Sequence, residues 1–307
     1  MENIKNILVG LDMTDMDFTL LKYVSFIVNT SQAERVIFVN VVRDLHIPEE
    51  VLNEFPELVS KALEERKNQL TERILKNHNL QREAKFDVIV KSGSATKVIL
   101  ETIDKEKIDL LLIGHKLTSH SNGVTTQRLA RRCNCLLLIA PENSTPKVNR
   151  ILVPIDFSEY SKLALERVCQ MASNYKNKVA VECIHAYNVP VGYHYSGKSF
   201  KEFAEVMKKN AEQSYKQFIK TTNTFGIKPV MQYVLNKEDD LLKTIHTTAS
   251  RIKADGIVVG AKGKTSTAAL FLGNFAEKLV SSTTEVPILL VRPKGKSFGL
   301  IDYIKEL

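Results

Sequence analysis

Short apolar runs alternate along the chain with longer segments of helical periodicity. The runs are nearly continuous in Val, Ile and Leu, as is typical of strands that are buried on both faces. This alternation predicts parallel sheets with helices on both sides, so we expect two tandem open α/β sandwich domains of the Rossmann-like type. Four runs are recognised in each half: 6–12, 35–42, 109–114 and 136–141, then 150–156, 178–187, 255–260 and 288–293.

An internal repeat divides the chain. The segments NILVGLDMTDMDFTLLKYV (6–24) and RILVPIDFSEYSKLALERV (150–168) each pass from an apolar run through an aspartate into helical periodicity. Asp12 and Asp156 correspond in this repeat, and each is expected at the carboxyl edge of its sheet, where open α/β sheets bind ligands. The predicted boundaries are 1–144 for the first domain, 145–293 for the second and 294–307 for a C-terminal tail.

Charge is unevenly distributed between the two halves. The 307 residues have a formal net charge of +8. Residues 1–144 hold 19 Lys or Arg and 20 Asp or Glu, whereas residues 145–307 hold 24 and 15. A basic second half suits an anionic ligand or partner, although a solvated lysine-rich face is as common. No motif that reads RNA or DNA accompanies the charge, so a nucleic-acid partner is not expected.

Composition indicates a cytoplasmic globular protein that does not bind membranes. Hydrophobic residues make up 44% and charged residues 25% of the chain, and no apolar run is long enough to span a bilayer. The cysteines fit no disulfide framework, which favours a reducing compartment. Two of them, with two histidines, give only a weak metal signal, so we interpret them as buried thiols and predict no metal site. These residues are Cys133, Cys135, His115 and His120.

The stretch GYHYSGKS (192–199) matches the spacing of a phosphate-binding P-loop. Its interior is bulky, and no strand that ends in a metal-holding aspartate follows it. We therefore interpret its two glycines as turns, and Ser199 as the N-cap of a helix in which Glu202 completes a capping box. An alternative has this loop arching over a neighbouring pocket, with Lys198 or His194 reaching a phosphate.

A second glycine-rich segment, GAKGKTSTAALFLGNFAEKL (260–279), has the features of an anion site. Gly260 and Gly263 would let backbone N–H groups approach an anion without interference from a Cβ atom. A helix predicted to begin after Gly273, with Asn274 as its cap, would turn its free N–H groups and positive dipole end toward the same anion. The lysines of this segment are Lys262 and Lys264.

These features together resemble the universal stress protein family. The family pattern is a first strand that ends in Asp, followed later by a Gly-x2-Gly-x9-Gly-(Ser/Thr) loop that holds ATP phosphates. The resemblance covers essentially all of residues 1–293, and it implies the universal stress protein fold for both domains. It also implies that the second domain binds ATP, ADP or AMP. Asn274 stands where Ser or Thr is usual, and it lacks their hydroxyl group, so the participation of Mg²⁺ stays open.

The resemblance also implies the nucleotide-binding residues of the second domain. Asp156 would bind the ribose hydroxyls, and Pro154 would lie beside the base. The backbone at Ala186 would face the adenine, and Val259 would line the same pocket. Five residues would surround the phosphates with backbone N–H groups: Gly260, Gly263, Gly273, Asn274 and Phe275.

The first domain departs further from the family pattern. Gly114 and Gly123 are kept, but Leu117 replaces the second glycine and the loop is shorter. Asp12 remains at the end of the first strand, with Val41 at the adenine position. These changes predict a degenerate site with a structural role; the alternative is that this domain binds a different small ligand.

No catalytic constellation stands out, so the predicted function is that of a stress-response protein whose nucleotide occupancy shifts its conformation or partner binding. A slow metal-dependent ATPase and a scaffold that binds no nucleotide are the alternatives. The closing runs at 136–141 and 288–293 resemble the strands through which such domains pair. They predict a pseudo-dimer of the two halves and leave a homodimer open.

Overall fold

A computed structural model describes residues 4–43, 47–77, 84–116, 122–263, 272–282 and 284–293. Contacts between Cα atoms divide the chain into two compact units, Met1–Pro146 and Lys147–Leu307. Both units are α/β domains with parallel sheets, so the predicted fold class is confirmed. The predicted tail and the residues Leu117, His120 and Lys264 lie outside the described residues.

Unit 1 contains a five-stranded parallel sheet in the order β3-β2-β1-β4-β5. Its strands are β1 (Asn6–Leu11), β2 (Arg35–Val42), β3 (Lys85–Ser92), β4 (Leu110–His115) and β5 (Leu136–Pro141). Its helices are α1 (Met16–Thr30), α2 (Glu49–Glu54), α3 (Leu58–Asn77), α4 (Ala95–Glu106) and α5 (Asn122–Arg132).

Unit 2 repeats this topology, with its five strands in the order β8-β7-β6-β9-β10. The strands are β6 (Arg150–Pro154), β7 (Ala180–Tyr187), β8 (Val230–Leu235), β9 (Gly256–Gly260) and β10 (Ile288–Val291). The helices are α6 (Glu159–Asn174), α7 (Phe200–Thr221), α8 (Leu241–Ile252) and α9 (Asn274–Ser281), with a 3-10 helix at Tyr193–Ser196.

The central strands form the core of each unit. All five residues of β9 are buried, and Leu8 in β1 and Leu111 in β4 are fully buried and paired in register. In both sheets the strand order changes direction between the first and fourth strands, which opens a crevice at their carboxyl ends. This crevice lies next to Asp12 in unit 1 and next to Asp156 in unit 2.

The third strands, β3 and β8, are absent from the strand runs recognised in the sequence. Both are edge strands in which no position is fully buried, because no further strand covers their outer side in their own unit. Their sequences, KFDVIVKS and VMQYVL, mix polar residues into the apolar run. Partial exposure therefore removed the continuous hydrophobicity that marks the inner strands.

Two local predictions are confirmed. Ser199 caps α7 by accepting from the Glu202 N–H, and the Glu202 carboxylate accepts from the Ser199 N–H in return, which is a capping box. The two glycines of GYHYSGKS adopt left-handed turn conformations, with φ of 90° at Gly192 and 71° at Gly197. Among the helices that the structure describes, none combines the length and the apolar character needed to cross a bilayer.

Candidate functional site at the carboxyl edge of unit 2

A cavity of about 1030 Å³ opens at the carboxyl ends of β6 and β9 in unit 2. All nine residues predicted for nucleotide binding in this unit line it. They come from the end of β6, the end of β7, the end of β9 and the start of α9. These residues are Pro154, Asp156, Ala186, Val259, Gly260, Gly263, Gly273, Asn274 and Phe275.

The Asp156 carboxylate is held by the turn that follows it. Its Oδ1 atom accepts hydrogen bonds from the N–H of Ser158 at 3.0 Å and from the Ser158 hydroxyl at 2.6 Å. The Ser158 hydroxyl in turn caps α6 by accepting from the Ser161 N–H. Phe157 between them has φ of 64°, a left-handed conformation that the tight turn imposes on a residue other than glycine. The turn thereby fixes the direction of the Oδ2 atom.

Gly263 lies against the Oδ2 atom of Asp156. A Cβ atom at position 263 would stand 2.7 Å from this oxygen, closer than ordinary contact allows. The absence of a side chain therefore lets the loop after β9 approach the carboxylate closely. Gly263 is the residue that Leu117 replaces in unit 1.

The start of α9 borders the same cavity. The helix begins at Asn274 as predicted, but Gly273 is its N-cap residue, so the prediction that Asn274 caps it is wrong. Asn274, Phe275 and Ala276 occupy the first three helical positions, where backbone N–H groups have no acceptor within the helix. These N–H groups and the helix dipole make this corner of the cavity favourable for an anion.

Two of the five glycine-loop residues have structural roles that the sequence did not reveal. The Gly273 N–H donates to the Ala261 carbonyl at 2.8 Å, so it closes the loop on itself and is not directed at a ligand. At Gly260 a Cβ atom would lie 2.5 Å from the Tyr160 carbonyl oxygen, in the first turn of α6. Gly260 therefore allows α6 to pack closely on β9, a packing requirement that its place in the loop pattern did not reveal.

An aromatic cluster supports the cavity wall at the end of β7. The Nδ1 atom of His185 lies 2.8 Å from the Ile155 carbonyl oxygen, and because a carbonyl only accepts, Nδ1 carries the proton. The Phe157 ring stacks on the His185 ring, with centroids 4.4 Å apart, and Phe218 packs on Phe157 from the other side. This packing fixes the end of β7, where the Ala186 backbone faces the cavity.

The cavity wall that follows β8 was not predicted from the sequence. Asp239, Asp240, Leu241 and Ile245 line this side. The Asp240 carboxylate caps α8 by accepting from the Lys243 N–H. An aspartate directly before an apolar helical pattern is a recognisable N-cap signal, but without the edge strand β8 nothing placed it at the carboxyl edge.

Lys262 is the buried cation of the cavity. Its side chain lies on the Tyr160 ring, with the Nζ atom 5.9 Å from the ring centroid, and only 8% of the residue is exposed. The Lys262 backbone lies against Gly273, the N-cap residue of α9, so this lysine belongs to the end of the cavity where the helix dipole is positive.

The corresponding aspartate of unit 1 is held by a lysine. The Oδ1 atom of Asp12 accepts from the N–H and hydroxyl of Thr14, in the same turn that Ser158 forms in unit 2. Its Oδ2 atom instead forms an ion pair with Lys116 Nζ at 2.6 Å. Burial raises the pKa of Asp12, but the hydrogen bonds from Lys116 and Thr14 lower it by more, so the pKa lies below its usual value.

The other residues predicted for the degenerate site of unit 1, Gly114, Val41 and Gly123, lie on three different elements. Gly114 is the last residue but one of β4, and a Cβ atom there would collide with the Met16 side chain, so this glycine also serves the packing of a helix. Val41 lies near the end of β2. Gly123 lies within the first turn of α5 and not in a loop before it.

A buried carboxylate distinguishes unit 1 further. Asp17, at the position of Ser161, is fully buried; its Oδ1 atom accepts from the Asp12 N–H, and its Oδ2 atom lies 3.3 Å from Arg73 Nε. Arg73 reaches over from α3, donates to the Thr14 carbonyl and covers the Phe18 ring. Burial raises the pKa of Asp17 to about 6, while the Asp12 N–H and the Arg73 guanidinium oppose the rise.

The four cysteines are free thiols and all are buried, in agreement with the interpretation of Cys133 and Cys135 as buried side chains. Burial raises the pKa of the Cys169 thiol to about 12, so that this group is inert near neutral pH. Over the described part of the chain, no group of three or more His, Cys, Asp or Glu side chains is arranged to hold a metal ion.

Comparison with known proteins decides the family. The model of the universal stress protein family matches twice, over residues 3–141 and 147–292. The chain belongs to the universal stress protein family. The two matches make it a tandem universal stress protein, as the repeat predicted.

Individual relatives agree with this assignment. A universal stress protein from Methanocaldococcus jannaschii is 26% identical over 147 residues, which cover 48% of this chain and 84% of that protein. The crystal structure of a universal stress protein from Archaeoglobus fulgidus has a TM-score of 0.60 at 17% identity, and covers 93% of this chain and 97% of that chain. A universal stress protein solved in complex with cAMP matches 46% of this chain at 16% identity, with a TM-score of 0.33.

Within this universal stress protein, both units place a turn carboxylate at the carboxyl edge of the sheet, but the residue that meets its Oδ2 atom differs. In unit 2 the turn carboxylate faces a glycine and a cavity. In unit 1 the turn carboxylate is paired with a lysine of the chain itself.

Proposed function

We propose that unit 2 of this stress protein binds an adenine nucleotide, ATP, ADP or AMP, and that occupancy regulates its conformation or its partner binding. The single observation that carries the proposal is that the nine residues chosen from the sequence line one cavity. Its volume of about 1030 Å³ is at the upper end of the range for ligand pockets, roughly 300 to 1,000 Å³.

The ribose would bind at Asp156. Because Oδ1 is occupied by Ser158, Oδ2 is the carboxylate oxygen that faces Gly263 and the cavity. A carboxylate accepts two hydroxyl hydrogen bonds well, and hydrogen bonds to a charged group contribute about 1.5 to 3 kcal/mol each.

The phosphates would bind at the N-terminus of α9. The N–H groups of Asn274 and Phe275 are free of helical partners, and Lys262 adds a buried positive charge. Because position 263 is glycine, the loop after β9 has no side chain at the point where the phosphates would approach it. Since the Gly273 N–H is used by Ala261, the phosphate contacts proposed for this loop rest on the helix start and not on Gly273.

The adenine would bind between β7 and the loop after β8. The Ala186 backbone, Pro154 and Val259 line this part of the cavity, and Leu241 closes it from α8. An apolar slot with backbone groups at its edge suits a flat heteroaromatic base, which needs stacking surface and a few directed hydrogen bonds. The stacked His185 and Phe157 rings hold β7 in place behind it.

The test is a calorimetric titration of the full chain with ATP, ADP, AMP and cAMP, each with and without Mg²⁺. Asp156→Asn keeps the oxygen that Ser158 requires and replaces Oδ2 with an amide group, so the fold is retained while the ribose acceptor is lost. We expect Kd to rise roughly ten- to hundredfold for every nucleotide that binds. Asp12→Asn is the matched control in unit 1 and should leave Kd unchanged.

Two results would refute the proposal. One is the absence of binding by the unchanged protein to any of these nucleotides. The other is an equal loss of affinity in Asp12→Asn and Asp156→Asn, which would place the site elsewhere. Product analysis of the ATP samples separates binding from the alternative of slow hydrolysis.

A further inference from the structure

Two segments at equivalent positions of the two units carry opposite charge. Each lies between the second strand and the long helix that follows it. We call residues 47–60 of unit 1 the acidic segment, and residues 188–201 of unit 2 the basic segment. The acidic segment has four glutamates and no Lys or Arg, whereas the basic segment has two lysines and no Asp or Glu.

Each segment is covered only in part by its own unit. Helix α2 in the acidic segment buries no residue and has no side-chain cap, and the 3-10 helix in the basic segment buries no residue either. A helix of six residues is far too short to be stable in water without tertiary packing. Both segments therefore have the character of surfaces that are completed by a partner.

The basic segment presents an ordered apolar surface. The Tyr193 ring packs edge-on against Phe200 in the first turn of α7, with centroids 5.5 Å apart, and this contact anchors the segment. Val191 is fully exposed, Tyr195 is 90% exposed and Phe200 is 41% exposed. The rigid turns at Gly192 and Gly197 on either side of the 3-10 helix hold these side chains outward.

Lysines surround this apolar surface. Lys198 and Lys201 are both exposed. The first acidic residue beyond them, Glu202, is already bound to the N–H and hydroxyl of Ser199 in the capping box. The basic segment is therefore an apolar centre with a positive border.

The acidic segment is the complement of this surface. Phe55 is 53% exposed and Leu58 is 43% exposed, on either side of the turn that joins α2 to α3. Glu54 and Glu57 flank them, and Glu49 and Glu50 extend the negative charge along α2. The acidic segment is an apolar centre with a negative border.

We propose that the acidic segment of one molecule binds the basic segment of a second molecule of this protein. The contact buries the exposed aromatic and aliphatic side chains of both segments, and opposes glutamates to lysines at the border, where complementary charge sets specificity. Two molecules that exchange these contacts reciprocally form a closed dimer, because each has one segment of either kind. The proposal concerns surfaces outside the cavity and does not rest on nucleotide binding.

Charge-reversal variants test the proposal by sedimentation velocity over a range of protein concentrations. Lys198→Glu with Lys201→Glu, and separately Glu54→Lys with Glu57→Lys, should each raise the dissociation constant of the dimer at least about tenfold, because like charges then face each other. An equimolar mixture of the two double variants should restore association, since every contact in the mixed dimer again pairs opposite charges. Lys176→Glu with Lys178→Glu is the control at a remote surface and should associate like the unchanged protein.

Changing the salt concentration and replacing an exposed apolar side chain provide two further tests of dimer association. Raising the salt from about 0.1 M to 1 M shortens the screening length from about 10 Å to 3 Å, and should weaken the dimer of the unchanged protein. Tyr195→Ser should weaken it at both salt concentrations. A protein that is monomeric at all concentrations, a dimer that is indifferent to the reversals, or a mixture that fails to restore association would each overturn the proposal.

Discussion

The two units hold the same carboxylate by the same turn and differ in what meets its second oxygen. In unit 1 that oxygen is paired with Lys116, and in unit 2 it lies against Gly263 in the lining of the cavity. In unit 2 the turn also caps the first helix through Ser158, whereas α1 of unit 1 begins after Asp15 without a side-chain cap. A repeated domain can therefore keep its strand order and its turn while the loop after the fourth strand brings a lysine to the carboxylate in one unit and a glycine in the other.

The difference extends to the groups behind the turn. The side chain of Asn40 in unit 1 donates to the Leu11 carbonyl, and His185 in unit 2 bonds the equivalent Ile155 carbonyl. These two contacts perform one structural task with different residues. Asp17 and Ser161 are not equivalent in this way. The buried Asp17 carboxylate needs the Arg73 guanidinium as its partner, whereas the Ser161 hydroxyl donates to a carbonyl in its own helix turn.

The largest effect we expect is a difference in stability loss between alanine substitutions of the two fourth-strand glycines, Gly260 and Gly114. Gly260→Ala places a methyl group against the Tyr160 backbone, which can yield only if α6 moves, so we expect a loss of roughly 3 kcal/mol in the free energy of unfolding of unit 2. Gly114→Ala meets the flexible Met16 side chain and should cost unit 1 about 1 kcal/mol. Urea unfolding followed by hydrogen exchange in α1 and α6 measures both. Equal losses would contradict the packing argument.

Asp17 should make the stability of unit 1 depend on pH. The pKa of Asp17 is about 6 in the folded protein and about 3.8 in the unfolded chain. The folded state retains the extra proton between these values, so the contribution of Asp17 to stability is fully present below about pH 4 and is lost as the pH rises through 6, by roughly 3 kcal/mol in total. Asp17→Asn should remove this dependence in α1, measured by hydrogen exchange, and α6 should show none of it. A decline that persists in the variant would assign the effect to another group.

The smallest effect concerns the ion pair of unit 1. Lys116→Ala leaves Asp12 with its Thr14 hydrogen bonds, and because the Asp12 side chain is nearly half-exposed, unit 1 should lose less than about 1 kcal/mol. The pKa of Asp12, followed by NMR titration, should rise when the Lys116 hydrogen bond is removed. A large loss of stability would mean that Lys116 is a structural requirement of unit 1 and not a substitute for a ligand.

The inner strands and the repeat were predictable because burial on both faces leaves an unmistakable run of Val, Ile and Leu. β1, β2, β4 and β5 and their counterparts in unit 2 were located in this way. The edge strands β3 and β8 were not, since their outer sides are exposed and their sequences are mixed. The site followed the same division: Asp156 and Gly263 stand next to recognisable strands, whereas Asp239 and Asp240 follow an edge strand.

Other features of the site needed three-dimensional contacts. A glycine pattern does not reveal whether a glycine lets an anion approach the backbone or lets a helix pack closely against it. Only the position of Tyr160 shows that Gly260 lets a helix pack closely. The engagement of the Gly273 N–H by Ala261 is equally invisible in the sequence, because it depends on how the loop closes. Lys116 and Lys262 occupy the same place in their loops, yet the ion pair at 2.6 Å between Lys116 and Asp12 appeared only in the structure.

The central claim is that the edge of unit 2 is open to a nucleotide because position 263 has no side chain. We would release and identify small molecules from the purified protein by mass spectrometry, for the unchanged chain, for Gly263→Leu and for Asp12→Asn. We expect an adenine nucleotide in the unchanged protein and in Asp12→Asn, and none in Gly263→Leu. Nucleotide retained in Gly263→Leu, or none in any sample even after addition of ATP and Mg²⁺, would contradict the claim.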